Sequence, residues 1–352
     1  MIEQVKKMAN KKLHKFGIIG CGHIAQRHAE HIENNGKLKA VCDVNYERAK
    51  ALGEKYGVKY YTNYDQMLQE ENDIEIIAVC TPNGLHAEHA IKAMRAGKHV
   101  LCEKPMAITV RDAENMIYES EKTNRRLFIV KQNRYNPPIV KMKELIESGV
   151  LGRILNVQLN CFWNRNENYY KNSDWKGKKD LDGGILFTQF SHFVDIMYWL
   201  VGDVKKAYGL NNNFIHQNVV EFEDSGAAIF EFYNGAIGSI NFTINSWGSN
   251  MEGSITIFGE KGTVKVGGQY LNVFDYQSID NYKIEGIEEG KKANDYGFYQ
   301  GSMSNHDKVY ENLINTLDNN EVIATNGIEG MKVVQIIEKI YNSAKRNGRE
   351  YD

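Results

Sequence analysis

Phe16-Gly17-Ile18-Ile19-Gly20-Cys21-Gly22-His23-Ile24-Ala25 is the stretch on which the reading of this chain turns. An apolar run, two glycines and then a third small residue spell a buried strand, a tight turn and the start of a helix. The turn at Gly20 needs a residue without a Cβ. Gly22 lets a backbone approach a pyrophosphate, and Ala25 lets the helix pack closely on the strand. The first helical turn, from His23 and Ile24, offers N–H groups and partial positive charge to phosphates.

A bare G-x-G-x-x-A also occurs in structural turns, so its surroundings matter. Here it follows an apolar strand (Leu13 to Ile19), opens a helical pattern (Ala25 to Asn34), and is answered by Asp43 after Leu38-Lys39-Ala40-Val41-Cys42. An acid about 20 residues on holds the ribose hydroxyls of an adenosine and repels a 2′-phosphate, which points to NAD rather than NADP. Arg48, one turn later, is the residue that could receive such a phosphate.

A chain of 352 residues is long enough for two domains, and 42% apolar with 25% charged residues is ordinary globular composition. A net charge of −2 gives no case for nucleic acid, and no apolar run reaches the length of a membrane span. Met1 to Lys15 is basic without an apolar core, so it reads as a polar lead-in and not a signal peptide. The five cysteines, Cys21, Cys42, Cys80, Cys102 and Cys161, form no C-x-x-C pair and no metal-like spacing. An odd count, mostly at strand ends, reads as reduced thiols in the cytoplasm, with no metal.

Helices are expected over Asn45–Tyr56, Tyr64–Glu70, His86–Ala96 (stopped by Gly97) and Val110–Lys122. Strands are expected at Val58–Tyr61, Asp73–Cys80, Val100–Cys102 and Leu127–Lys131. Alternating elements at this spacing make a doubly wound parallel sheet, whose ligands sit at the carboxyl ends of its strands. Gly20, Asp43, Thr81, Lys104 and Gln132 all fall at such ends. Pro137-Pro138 marks a boundary, followed by a helix Ile139–Ser148 and a change of pattern. Ile154–Phe162, Gly226–Tyr233, Ala236–Ile244, Gly253–Phe258 and Thr263–Val266 alternate, as a large open, mostly antiparallel sheet does. One helix, Gly184–Leu200, interrupts them, and two more, His306–Leu317 and Gly327–Arg346, close the chain. The division expected is 12–135 for cofactor binding and 136–352, an α+β domain, for substrate binding and oligomerisation.

Glu103-Lys104-Pro105 ends the fourth apolar run of the first domain. A lysine confined in a partly dry cleft can take part in hydroxyl chemistry, although a strand-end lysine is also a common solvated charge. Pro105 restricts Lys104 to extended backbone and is a candidate for a cis bond. Asp182-Gly183-Gly184 opens the interrupting helix, on which Thr188, His192 and Asp195 share a face. A histidine there could exchange a proton with a substrate hydroxyl or simply be a satisfied interface residue.

Taken jointly, the N-terminal fingerprint, Thr81-Pro82 followed by His86, then Glu103-Lys104-Pro105, and Gly-Gly…His…Asp on a helix resemble the Gfo/Idh/MocA oxidoreductase family from about residue 14 to 346. The resemblance implies a Rossmann domain, an open mixed sheet, and NAD-dependent oxidation of sugars or cyclitols. It implies Lys104 as the catalytic lysine, His192 as the proton-transfer residue, and Thr81, Pro82, Asn83, His86, Glu103 and Gln132 near the cofactor. One departure is that inositol-dehydrogenase-like members carry an aspartate four residues before the histidine, where this chain has Thr188 and, beside it, Gln189.

Arg134-Tyr135 and the loop containing Arg165, Tyr169 and Trp175 are similar to the WlbA-like subgroup acting on UDP-linked N-acetylglucosaminuronate. Aromatic rings could stack on a base or sugar, and cations could face a diphosphate or carboxylate. The alternative is a solvated charged loop. The expectation is oxidation at C3′ of a nucleotide-linked sugar. Rivals are a free sugar or inositol dehydrogenase, an NAD sensor without turnover, and a glycosidase using NAD transiently. A homodimer or homotetramer through the C-terminal sheet is expected, with apolar positions such as Ile229, Ile237 and Ile240.

Overall fold

A computed structural model describes residues 13–287, 293–295 and 300–347. The lead-in expected over Met1 to Lys15 lies outside the described residues as far as position 12, as do 348–352. The described residues divide into two compact units. One gathers 13–103, 115–130 and 306–327; the other gathers 104–114, the described residues of 131–305, and 328–347.

The first unit is built on six parallel strands: β1 (Lys15–Ile19), β2 (Lys37–Cys42), β3 (Lys59–Tyr61), β4 (Ile76–Val79), β5 (His99–Cys102) and β6 (Leu127–Ile129). Their spatial order is β3-β2-β1-β4-β5-β6, a doubly wound sheet that reverses direction between β1 and β4. The central strands are continuous apolar runs because helices cover both faces, so β4 is buried at every position. Register makes the carboxyl ends flush. Ile19 pairs with Cys42 on one side and Val79 on the other, Val79 pairs with Cys102, and Cys102 with Ile129. Gly20, Asp43, Cys80 and Glu103 therefore begin one step beyond a single row.

The second unit carries seven strands: β7 (Ile154–Phe162), β8 (Val204–Asn212), β9 (Ser225–Phe232), β10 (Ile237–Thr243), β11 (Glu252–Gly259), β12 (Gly262–Gly267) and β13 (Val273–Ile279). They lie in the order β13-β12-β11-β7-β10-β9-β8. All pairs are antiparallel except β7–β10, which is parallel because the helical insert separates those strands. Ala228, Ile240, Leu159, Ile255 and Val266 form one buried row across five strands. Strand alternation explains a correction: Ile229 and Ile237 are 58% and 56% exposed, but Ile240 is fully buried on the opposite face. A small hairpin, β14 (Ala293–Asp295) with β15 (Gln300–Met303), belongs to the same unit.

Three boundaries differ from expectation. Pro137 and Pro138 do not precede the next helix but start it (Pro137–Glu147), since proline's missing N–H costs nothing in a first turn. β8 and β13 are edge strands the alternation did not mark: β13 is exposed or half-buried throughout, and β8 buries Val204, Ala207 and Gly209 but is exposed from Leu210 on. The helix expected over Gly184–Leu200 is two, Ile185–Thr188 and Ser191–Val201, with a break at Gln189–Phe190.

That break parts Thr188 from His192 and Asp195, which stay three residues apart on one helix, and Asp195 lies in a buried charge cluster. Arg134 grips it bidentately, Nε to Oδ2 at 2.9 Å and Nη2 to Oδ1 at 2.8 Å, while Lys131 Nζ stands 3.6 Å from Oδ1. Arg134 also donates to Glu329 at 3.1 Å and lies over the Trp199 ring. Burial alone would raise the Asp195 carboxyl, but the two cations outweigh it and hold it low. Arg134, expected at the substrate, thus has its guanidinium engaged in the scaffold. Asp195→Ala takes the shared carboxylate away from buried Arg134 and Lys131, and should cost about 3–5 kcal/mol in denaturant unfolding. A loss below about 1 kcal/mol would contradict the role. Because the folded carboxyl is depressed, its contribution in the parent chain should be full above the unfolded carboxylate range and fade as pH falls through the folded value.

Candidate functional site

In the first unit, Gly20 has φ +89° and its missing Cβ would stand 2.7 Å from the Cys80 carbonyl carbon and from Thr81 N. Only glycine fits between the ends of β1 and β4. Gly22 is the N-cap of the helix His23–Asn35, with no side chain capping it, and a Cβ there would meet nothing within 4 Å. An open space thus faces the N-terminus of a 13-residue helix, while Ala25 is fully buried behind it. This is a cradle suited to the pyrophosphate of a dinucleotide.

Asp43 is oriented for the same ligand. Its Oδ2 accepts the Cys21 N–H at 2.7 Å and its Oδ1 the Asn45 N–H at 2.8 Å, which fixes the carboxylate and leaves each oxygen a further lone pair. Pro82 and Asn83 form a turn leading into the helix His86–Arg95. His86 Nε2 donates to the Thr81 carbonyl at 2.8 Å, and the Thr81 hydroxyl meets His89 Nδ1 at 3.1 Å. Burial pushes His89 down to about 4, so this ring is neutral. The arrangement stiffens the Thr81 turn.

Glu103 differs from expectation. Its carboxylate meets His28 Nε2 at 2.9 Å and His306 Nε2 at 3.4 Å, and His28 Nδ1 contacts the Tyr310 hydroxyl at 2.7 Å. Burial would raise the Glu103 carboxyl, and these two histidines more than reverse it. The side chain is occupied in an internal network that anchors the end of β5. No local pattern betrays this pairing, because the partners lie 75 and 203 residues away. All five cysteines are buried and unpaired with one another, and burial pushes the Cys42 thiol up to about 12, so none is poised as a nucleophile.

In the second unit, the Lys104–Pro105 bond is cis, and Lys104 Nζ donates to the Thr188 carbonyl at 2.8 Å. That carbonyl belongs to the last residue of a short helix, Ile185–Thr188, where backbone oxygens turn to partners outside the helix. His192, four residues on, is buried in the first turn of the helix Ser191–Val201. Gln132 and Tyr135 lie in one 3-10 turn, Gln132 buried and Tyr135 half-buried.

The loop residues converge around Tyr169. Arg165 lies 5.2 Å from its ring centroid and Lys176 3.7 Å, while Gln189 Nε2 donates to its hydroxyl at 3.3 Å. Arg165 is buried, stacked also on Trp163 and bonded to Asn250 Oδ1 at 3.1 Å. Arg165 and Lys176 thus pack on an aromatic ring, whereas Lys171, Lys178 and Lys179 of the same loop are exposed. Trp175 is half-buried. Sequence reasoning singled out neither Asp182 as a ligand of Thr188 nor Glu223 behind it. Both are acidic residues whose burial no spacing rule betrays.

Comparison with known proteins agrees with this geometry. Residues 14–131 match the model of the Gfo/Idh/MocA oxidoreductase family, NAD-binding Rossmann fold. Residues 143–351 match that family's C-terminal alpha/beta domain. The chain is 35% identical to the WlbA dehydrogenase from Bordetella pertussis, solved in complex with NADH and UDP-GlcNAcA, with a TM-score of 0.84 over 96% of this chain and 98% of that one. It is 33% identical to the WlbA dehydrogenase of Chromobacterium violaceum, solved with the same two ligands, with a TM-score of 0.87 over 97% and 96%. An inositol 2-dehydrogenase of Salmonella typhimurium is 27% identical over 72% of this chain and 73% of its own length. With the glycine cradle, the oriented Asp43 and both domain matches in agreement, the chain belongs to the Gfo/Idh/MocA oxidoreductase family and is an NAD-dependent dehydrogenase.

Proposed function

We propose that the chain oxidises a secondary hydroxyl of a sugar ring, and that its substrate is a nucleotide-linked sugar acid such as UDP-N-acetylglucosaminuronate, oxidised at C3′. The observation that carries the reading is the Lys104 ammonium held by the Thr188 carbonyl at 2.8 Å, at a helix break four residues before His192. An ammonium and an imidazole supplied from adjoining turns suit a hydroxyl that must be polarised and then deprotonated.

Bound NAD supplies the acceptor for the hydride. Lys104 donates to the reacting oxygen and stabilises negative charge as it develops, while His192 accepts the hydroxyl proton. Gly20, Gly22, His23 and Ile24 hold the pyrophosphate, and Asp43 the adenosine ribose. Thr81, Pro82, Asn83, His86 and Gln132 serve the nicotinamide end. Tyr169, Trp175, Arg165, Tyr135, Thr188 and Gln189 form the substrate's surroundings, with Lys176 facing its charge.

Support for a nucleotide-linked substrate is the near full-length similarity to two dehydrogenases solved with UDP-GlcNAcA, together with the Tyr169 stack. The inositol dehydrogenase relative favours a free polyol as the second reading. Against it, position 188 carries no carboxylate. We assign 12–135 to cofactor binding and 136–352 to substrate binding and oligomerisation. The exposed sheet face bearing Ile229 and Ile237 is the surface through which a homodimer or homotetramer forms. The five buried reduced thiols suit a cytoplasmic setting. Among the described residues no helix is long and apolar enough to cross a membrane.

NADH formation with UDP-N-acetylglucosaminuronate, with myo-inositol and glucose alongside, tests the substrate, and 2-oxoglutarate tests whether cofactor is recycled in place. Turnover of the nucleotide sugar is expected; turnover of free polyols alone would overturn the proposal. Lys104→Ala should abolish turnover with NAD affinity nearly intact, and equal loss of both would contradict its role. Asp43→Ala should weaken NAD binding about ten- to hundredfold in calorimetry and narrow the preference over NADP. Unchanged discrimination would remove Asp43 from the ribose.

A further inference from the structure

Thr188 stands where the resemblance to inositol-dehydrogenase-like members implies a carboxylate, yet its hydroxyl donates directly to one, Asp182 Oδ1. The other oxygen of that carboxylate accepts the Gly177 N–H at 2.7 Å. Thr188 in turn presents its carbonyl to the Lys104 ammonium. A continuous chain of polar contacts thus runs from Gly177, in the aromatic–cationic loop, through Asp182 and Thr188 to Lys104.

The setting is built for these contacts. Asp182 is fully buried, where an ionisable group is costly unless its oxygens are satisfied. Gly183, next in the chain, has φ +88°, and Gly184 has φ +133°. A Cβ on Gly184 would lie 2.2 Å from the Tyr341 hydroxyl, so no other residue fits there. Behind this turn Glu223 Oε1 accepts the Tyr341 hydroxyl at 2.5 Å and the Ile185 N–H at 3.1 Å, which pins the start of the Ile185–Thr188 helix. That helix is fixed at its first residue by Glu223 and at its last by Asp182.

We infer that Asp182 is a positioning residue of the dehydrogenation: through the Thr188 hydroxyl it fixes the carbonyl that holds Lys104, and it ties that hold to the substrate loop at Gly177. The inference rests on the proposed role of Lys104. Burial pushes Asp182 up to about 6, against the Thr188 and Gly177 hydrogen bonds and the charges of Lys176 and Lys104. The ionisable groups facing it are those two lysines together with Glu223, Tyr170 and Tyr341. Both tyrosines are pushed well above their ordinary range by burial, and burial pushes Glu223 up to about 7. Asp182 is thus the carboxylate whose charge Lys104 feels through the Thr188 link.

The test compares Asp182→Asn, Thr188→Val, their double variant and Thr188→Ser, each first checked for a cooperative thermal transition. Asp182→Asn should lower kcat about ten- to a hundredfold, as a displaced catalytic group does, with little change in NAD affinity. The double variant should be no worse than the poorer single one, because both cut the same link. Thr188→Ser, which keeps the hydroxyl, should recover turnover lost in Thr188→Val. Multiplying effects, or an unchanged kcat in a folded Asp182→Asn, would overturn the role. A second arm needs no substrate: the pH dependence of amine acylation at Lys104, read by mass spectrometry. Loss of the neighbouring negative charge should move its midpoint downward in Asp182→Asn, and an unmoved midpoint would overturn the link. If no sugar is turned over, the functional proposal fails while the acylation arm still decides whether Asp182 governs Lys104.

Discussion

Everything in the first unit depends on how closely the backbone passes itself at Gly20. With 2.7 Å between its absent Cβ and the Cys80–Thr81 peptide, the ends of β1 and β4 meet where the sheet reverses direction. The flush register then carries Asp43 and Glu103 to the same row. A larger residue at Gly20 would push the two strand ends apart and misalign every group that starts there. The fingerprint is therefore a packing requirement first and a phosphate site second.

The second unit solves a different problem, which is how to keep charge in a dry interior. It sorts its buried ions into two groups. Asp195 with Arg134, Lys131 and Glu329 is compensated and rigid, a brace between helices. Asp182 and Glu223 are raised carboxylates, held mainly by hydroxyl and N–H donors. Buried ion pairs of the first kind add specificity more than stability, whereas groups whose ionisation is displaced toward neutrality accompany working sites. Lys104 reaches the second kind, through the Thr188 carbonyl.

Much of this was legible in the sequence because its signals are local. Strand–glycine–helix order, alternation of apolar residues and the two motif stretches depend on neighbours within a few positions, and they gave the doubly wound parallel sheet of the first unit and the mostly antiparallel sheet of the second. What was not legible depends on partners far away. The break at Gln189–Phe190 separated Thr188 from the helix that carries His192 and Asp195. Arg134 looked like a loop cation until Asp195 and Glu329, 61 and 195 residues distant, claimed it. Ile240 was assigned to the open face although simple alternation from Ile237 puts it inside. β8 and β13 escaped notice because, at the sheet edges, their apolar and polar residues do not alternate regularly.

The most direct test of the central claim follows the hydride itself. UDP-N-acetylglucosaminuronate carrying deuterium at C3′ is incubated with the enzyme and NAD in a single turnover, and the cofactor is then analysed by mass spectrometry and proton NMR. The account predicts one deuterium at C4 of the nicotinamide and a primary isotope effect on NADH formation. Unlabelled NADH, with the deuterium kept on the sugar, would contradict it.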